Sequence, residues 1–137
     1  MSPSILVVDD DQDISLMLQD RLTLLGYHAS TAGHGAEGIA MFDVLIFDGI
    51  LLDIQMPVMD GLAMLEKVRE RFPKMPVIMM TAERHKEKIL QAMDLGANDY
   101  LLKPIDLDLL AKKCHAVFGS KPADGQQGSS ARPAHPL

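Results

Sequence analysis

Short apolar runs alternate along this chain with segments whose apolar positions recur every three to four residues. Ile5-Leu6-Val7-Val8 reads as a buried strand, and Ile14, Met17, Leu18, Leu22 and Leu25 follow at helical spacing until Gly26 closes the segment. Next come a strand over His28 to Ala32, a short helix from Ala36, a strand from Ile50 to Leu52, and a helix carrying Leu62, Leu65, Val68 and Phe72, which Pro73 stops. Beyond it lie Val77 to Met80, a helix with Ile89, Ala92 and Met93 ended by Gly96, the strand Asp99 to Leu102, and a last helix. Asp106 is suited to cap that helix, which is expected to bury Leu107, Leu110, Cys114 and Val117. Strand and helix alternating in this way predict a parallel sheet covered on both faces by right-handed crossovers. One segment breaks the pattern. Val44-Leu45-Ile46-Phe47 is apolar where the connection into the third strand is usually polar, so it either extends the second helix by a turn packed on the sheet edge, the reading favoured here, or marks a sticky surface.

Composition narrows the picture. With 137 residues, 47% hydrophobic and 4% aromatic, the chain holds enough material for one packed domain and not for two. That domain is expected over residues 1–118, because from Gly119 onward Ser, Pro, Gly, Gln and Ala dominate and apolar periodicity ends. Residues 119–137 therefore read as a disordered tail or interdomain linker. The net charge of -6 leaves no electrostatic footprint for direct nucleic-acid binding. The single Cys114 forms no internal disulfide, and neither a signal peptide nor a run of membrane-spanning length is present, so a cytoplasmic location is expected.

Candidate chemistry falls at the ends of the strands. Asp9-Asp10-Asp11 follows the first strand, Asp53 the third, Thr81 the fourth and Lys103-Pro104 the last. In an open parallel sheet the carboxyl ends of the strands meet in one crevice, so four separated motifs form one site. Clustered carboxylates repel one another and suit a hard divalent cation. Asp11 is spare and reads as a capping acid for the first helix. The histidines, His28, His34, His85, His115 and His135, show no metal-ligand spacing and read as surface residues.

In order and spacing, Asp9-Asp10, Asp53 before Met56-Pro57 and Asp60-Gly61, Thr81-Ala82, and Lys103-Pro104 resemble the receiver domain of bacterial two-component response regulators, over about residues 4–118. The resemblance implies a flavodoxin-like doubly wound (βα)5 fold with strand order 2-1-3-4-5. It implies that Asp53 accepts a phosphoryl group from a sensor histidine kinase or phosphotransfer protein, with Thr81 and Lys103 as its catalytic companions. It further implies Mg²⁺ (or Mn²⁺) held by Asp10 and Asp53, by Asp9 through water or orientation, and by the Gln55 main-chain carbonyl. Thr81 and Tyr100 match the switch pair, Gln55 and Glu83 the positions that tune phosphate lifetime, and the Lys103-Pro104 bond is expected to be cis. The face of the fourth helix, fifth strand and fifth helix is the expected partner surface and a candidate homodimer contact. A C-terminal output domain beyond residue 137 is the expectation for a transcription factor of this kind, and none for a stand-alone regulator.

Such a protein is no metabolic enzyme, since it catalyses only its own phosphorylation and dephosphorylation. A hydrolase of the haloacid dehalogenase type would carry a second Asp two residues after the nucleophile, where Gln55 stands. A degenerate receiver acting only as a docking module would have lost part of the acid pair, Asp53, Thr81 or Lys103. Met79, Met80 and Met93 are expected in the core, while Met56, Met59 and Met64 flank the Asp53 loop, where they could pack against a partner.

Overall fold

Unbroken apolar runs dictate strands covered on both faces, and the central strands are so covered. The computed structural model describes residues 2–119, with the side chain of Glu83 left out. In chain order the elements are β1 (Ser4–Val8), α1 (Gln12–Leu24), β2 (His28–Ala32), α2 (Gly35–Met41), β3 (Gly49–Asp53), α3 (Gly61–Arg71), β4 (Val77–Thr81), α4 (Lys86–Asp94), β5 (Asp99–Leu102) and α5 (Leu107–Phe118). A 3-10 turn over Glu83–His85 joins β4 to α4. The strands pair in parallel in the order β2-β1-β3-β4-β5, which is the flavodoxin-like arrangement expected. The last described helix, α5, ends at Phe118, and the expected tail, apart from Gly119, lies outside the described residues.

Successive strand residues point to opposite faces, so β1, β3 and β4 feed two apolar layers. Leu6, Val8, Ile50, Leu52, Val77 and Met79 meet Met64, Leu65 and Val68 of α3 and Ile89 and Ala92 of α4. Ile5, Val7, Leu51, Ile78 and Met80 meet Leu18 and Leu22 of α1 and Leu110 and Cys114 of α5. Each large side chain so buried contributes about 1.5–3 kcal/mol, which holds β3 in register and Asp53 at its end. Among the described residues no helix is long and apolar enough to cross a membrane.

Helix ends follow local chemistry. Asp11 accepts hydrogen bonds from the N–H groups of Asp13 and Ile14 and caps α1, the role expected of it. Asp106 caps α5 in the same way. Gly26 and Gly96 follow α1 and α4 with φ of 99° and 90°, the left-handed conformation that ends a helix and that glycine adopts freely.

Three expectations need correction. Met17 and Met93 are both 38% exposed, because Leu18 and Ala92, one step round each helix, occupy the buried stripe. The α5 stripe is Leu110, Cys114 and Phe118, leaving Leu107 and Val117 only half-buried. The turn expected after α2 forms over residues 42–44 but does not pack on the sheet edge: Val44 and Leu45 stay exposed. Only Phe47 returns to the core, its ring 5.3 Å from that of Phe42 in an edge-on contact.

At the opposite rim from Asp53, Phe118 lies over Gly49, where any Cβ would overlap its ring. Tyr27 stands edge-on to Phe118 and donates its hydroxyl to the Gly119 carbonyl.

Candidate functional site

The parallel register delivers the polar residues to one rim. Val8 pairs with Leu52, so Asp9 and Asp53 emerge side by side from β1 and β3. Thr81 pairs with Leu102, so Lys103 follows at once, its N–H donating to the Thr81 carbonyl at 2.8 Å. Asp9, Asp53 and Thr81 are almost wholly buried, while Asp10 is exposed. The Lys103 ammonium bridges the two acids, with Nζ 2.9 Å from Asp9 Oδ2 and 3.1 Å from Asp53 Oδ2. The Lys103–Pro104 bond is cis, as the resemblance implied.

Backbone donors fix the other oxygens. Asp9 Oδ1 accepts from the Asp11 N–H at 2.9 Å, and Asp53 Oδ1 from the Gln55 N–H at 3.2 Å. The buried Ser15 hydroxyl donates to the Asp9 main-chain carbonyl at 3.2 Å, tying α1 to the end of β1.

Negative charge is in surplus here. Burial, and then the neighbouring Asp9 charge, push the Asp53 carboxyl up to about 6 against the opposing pull of Lys103. For Lys103, burial works to lower the ammonium pKa, but its contacts with Asp9 and Asp53 outweigh that and raise it. Carboxylate oxygens of Asp9, Asp10 and Asp53 all lie within 4.8 Å of one another. This all-oxygen donor set fits a hard divalent cation such as Mg²⁺.

The loop after Asp53 explains the spacing to Gly61. Asp60 caps α3 by accepting from the Ala63 N–H, and the Gly61 N–H donates to the Ile54 carbonyl at 2.7 Å. A Cβ on Gly61 would overlap the Asp53 carbonyl oxygen, so only glycine lets α3 start this close beneath the acid. Val58, at the loop tip, is fully exposed and has φ 66°, a conformation that strains a β-branched residue. Met59 packs over Gly35 at the start of α2. Met56 and Met64 are buried in the core, so of the three methionines flanking the loop only Met59 is partly exposed and open to a partner.

The structure thus gathers Asp9, Asp10, Asp53, Thr81 and Lys103 at one rim. Gln55 is exposed beside Asp53, Glu83 opens the 3-10 turn, and the Thr81 hydroxyl donates to the Ala82 carbonyl at 3.2 Å. Tyr100 is half-buried on β5, its ring 4.9 Å from the Lys113 ammonium. Lys113 also donates to the Tyr100 carbonyl at 2.6 Å and pairs with Asp99 at 3.0 Å. Neither Lys113 nor Ser15 stands out in the sequence; the signal available for each was its place on a helix face turned toward a strand end. His34 is exposed, as expected of a surface histidine, and its Nδ1 also accepts from the Glu37 N–H and caps α2.

Comparisons with known proteins point to one family. The chain is 41% identical over 114 residues to a probable transcriptional regulator, ycf27, of Cyanidium caldarium, covering 83% of this chain and 45% of that one. It therefore spans less than half of that relative. Among solved structures, the chemotaxis protein CheY4 of Vibrio cholerae superposes with TM-score 0.81 at 33% identity, covering 85% of this chain and 99% of that one. The receiver domain of a Pseudomonas aeruginosa sensor histidine kinase, solved with magnesium in its active site cleft, gives TM-score 0.78 at 26% identity, covering 88% and 100%. The profile of the response regulator receiver domain matches residues 5–115, and with the strand order in agreement, the chain belongs to that family.

Proposed function

We propose that this receiver accepts a phosphoryl group on Asp53, and the observation that carries this reading is the Lys103 ammonium held between Asp9 and Asp53. A phosphoryl group in transfer spreads negative charge over its oxygens, so a protein speeds the step by positioning and neutralising it. One Asp53 oxygen attacks phosphorus in line with the donor bond. A P–O bond forms at Asp53 as the P–N bond to a donor imidazole breaks, and the imidazole leaves with the electron pair and takes a proton from solvent. Lys103 then lies beside the acyl phosphate, and the Thr81 hydroxyl turns from Ala82 to donate to a phosphoryl oxygen.

Asp10 and Asp53, with Asp9 acting through water and the Gln55 carbonyl completing the protein ligands, would hold Mg²⁺ (or Mn²⁺), which supplies charge neutralisation when bound. The magnesium in the cleft of the Pseudomonas receiver supports this assignment. Gln55 and Glu83 flank the path of hydrolytic water and tune phosphate lifetime.

The donor is a sensor histidine kinase or phosphotransfer protein in the cytoplasm. Phosphorylation draws Thr81 inward and lets Tyr100 turn, which changes the face of α4, β5 and α5 and the partners it takes, a second copy among them. The greater length of the ycf27 relative supports an output domain following this receiver. The receiver itself contacts neither nucleic acid nor membrane.

Acetyl phosphate with Mg²⁺ tests the reading. Wild type should form a hydroxylamine-sensitive adduct that Asp53→Asn cannot form. Free phosphate released over many turnovers would instead mark a hydrolase, and no adduct at all a docking module.

A further inference from the structure

The phosphoacceptor rim is acidic, yet its substrate is an anion. Asp9, Asp10, Asp11, Asp13 and Glu37 crowd the β1 and β2 side, on a chain whose net charge is -6. The opposite side carries the reverse sign. Immediately after Thr81 and Ala82, the 3-10 turn and first turn of α4 present Arg84, His85, Lys86 and Lys88, broken only by Glu87. These five residues line an open surface hollow of about 710 Å³. Arg84 and Lys86 are exposed and Lys88 half-exposed, and among the described side chains none of the three is paired with a carboxylate. Desolvation, with the charges of Arg84 and Lys88, lowers the pKa of the His85 imidazole, so the patch owes its charge at neutral pH to the arginine and lysines.

The patch begins three residues after Thr81, on the same rim. Three residue steps separate Thr81 from Arg84, so their Cα atoms are at most about 11 Å apart. The screening length in physiological salt is about 8 Å, and side chains of this length span much of the remainder. A dianion nearing Asp53 is therefore repelled from the β1 side and attracted from the β4 side.

We infer that the Arg84, Lys86 and Lys88 surface steers small acyl phosphate dianions to Asp53 from the β4 side, setting the chain's sensitivity to low-molecular-weight phosphodonors. The inference rests on the phosphoacceptor reading. It names the cationic side chains that recruit a freely diffusing donor.

The test compares wild type with the Arg84→Gln, Lys86→Gln, Lys88→Gln triple variant at saturating Mg²⁺, reading the second-order rate of adduct formation. With acetyl phosphate at low salt the variant should be about three- to tenfold slower. The gap should close to less than about twofold in 0.5 M salt, where screening reaches within about 4 Å. Phosphoramidate, which carries less negative charge, should show a smaller gap than acetyl phosphate. Wild type measured alone gives an independent arm: its rate with acetyl phosphate should fall more steeply with salt than its rate with phosphoramidate. Equal rates for the two proteins at low salt, a gap that persists in high salt, or the same salt dependence for both donors would each overturn the inference. If neither donor labels wild-type Asp53, the phosphoacceptor reading fails instead.

Discussion

Replacing Asp53 by Asn should make the metal-free protein more stable at neutral pH, and the size of the gain follows from the site. Burial and Asp9 move the Asp53 carboxyl from its ordinary 3.8 to about 6. At 1.36 kcal/mol for each tenfold change in proton affinity, that corresponds to about 3 kcal/mol of native-state penalty. Solvent reaches the site on the Asp10 side, and screening there reduces the figure to about 1–2 kcal/mol. The sign is set by proton binding. Below pH about 4 the carboxyl is protonated in both the folded and unfolded chain, and no penalty exists. Between about pH 4 and 6 the unfolded chain ionises first, so wild type loses stability, and above about 6 the full loss remains. An asparagine stays neutral throughout, and Lys103 keeps its bond to Asp9. Urea denaturation in EDTA should therefore show Asp53→Asn ahead by about 1–2 kcal/mol at pH 7.5, with the lead shrinking to less than about 0.5 kcal/mol at pH 4. Added Mg²⁺ should shrink the difference by stabilising only the wild type. A variant no more stable than wild type at pH 7.5, or a gain independent of pH, would refute the reasoning.

Other perturbations act on the loop and the acids. Gly61→Ala forces a methyl onto the Asp53 carbonyl, and a cost of about 2–4 kcal/mol in thermal melts is expected, with a fall in phosphate incorporation as the acid is displaced; wild-type melting would show that the helix start yields freely. Val58→Asn places a residue tolerant of positive φ at the loop tip, and a gain of about 1 kcal/mol is expected by denaturant titration. Chelation by EDTA should abolish labelling from acetyl phosphate, and Asp10→Ala should behave the same way in Mg²⁺; a normal rate in either case removes the metal assignment.

The layered fold was legible because β1, β3 and β4 carry apolar residues on both faces, a signature that does not depend on distant contacts. The site was legible for a related reason. Once the strands are parallel, residues directly after them must share a rim, and Asp9, Asp53 and Lys103 do. Features that depend on which side of a helix meets which neighbour were less readable. Met17 and Met93 satisfied the helical period but missed the buried stripe by one step. The Lys113 contact with Tyr100 joins α5 to β5, and no local pattern in either segment announces it. Val58 is the clearest case, since a valine gives no hint of a left-handed backbone.

The two ends of the described chain share the rim far from Asp53. Ser4 opens β1 with its N–H bound to Asp48 at 2.7 Å, and the next residue, Gly49, lies under Phe118 at the end of α5. Asp53 closes β3 four residue steps of about 3.3 Å further on, so roughly 13 Å of strand separates entry and exit from the phosphoacceptor. A unit whose termini lie together and away from its reactive mouth is suited to insertion as a cassette into a surface loop of a host protein. Spliced through Ser4 and Gly119 into a fluorescent host, this domain would leave Asp53 open to its donor while the host's emission reports on the inserted strands.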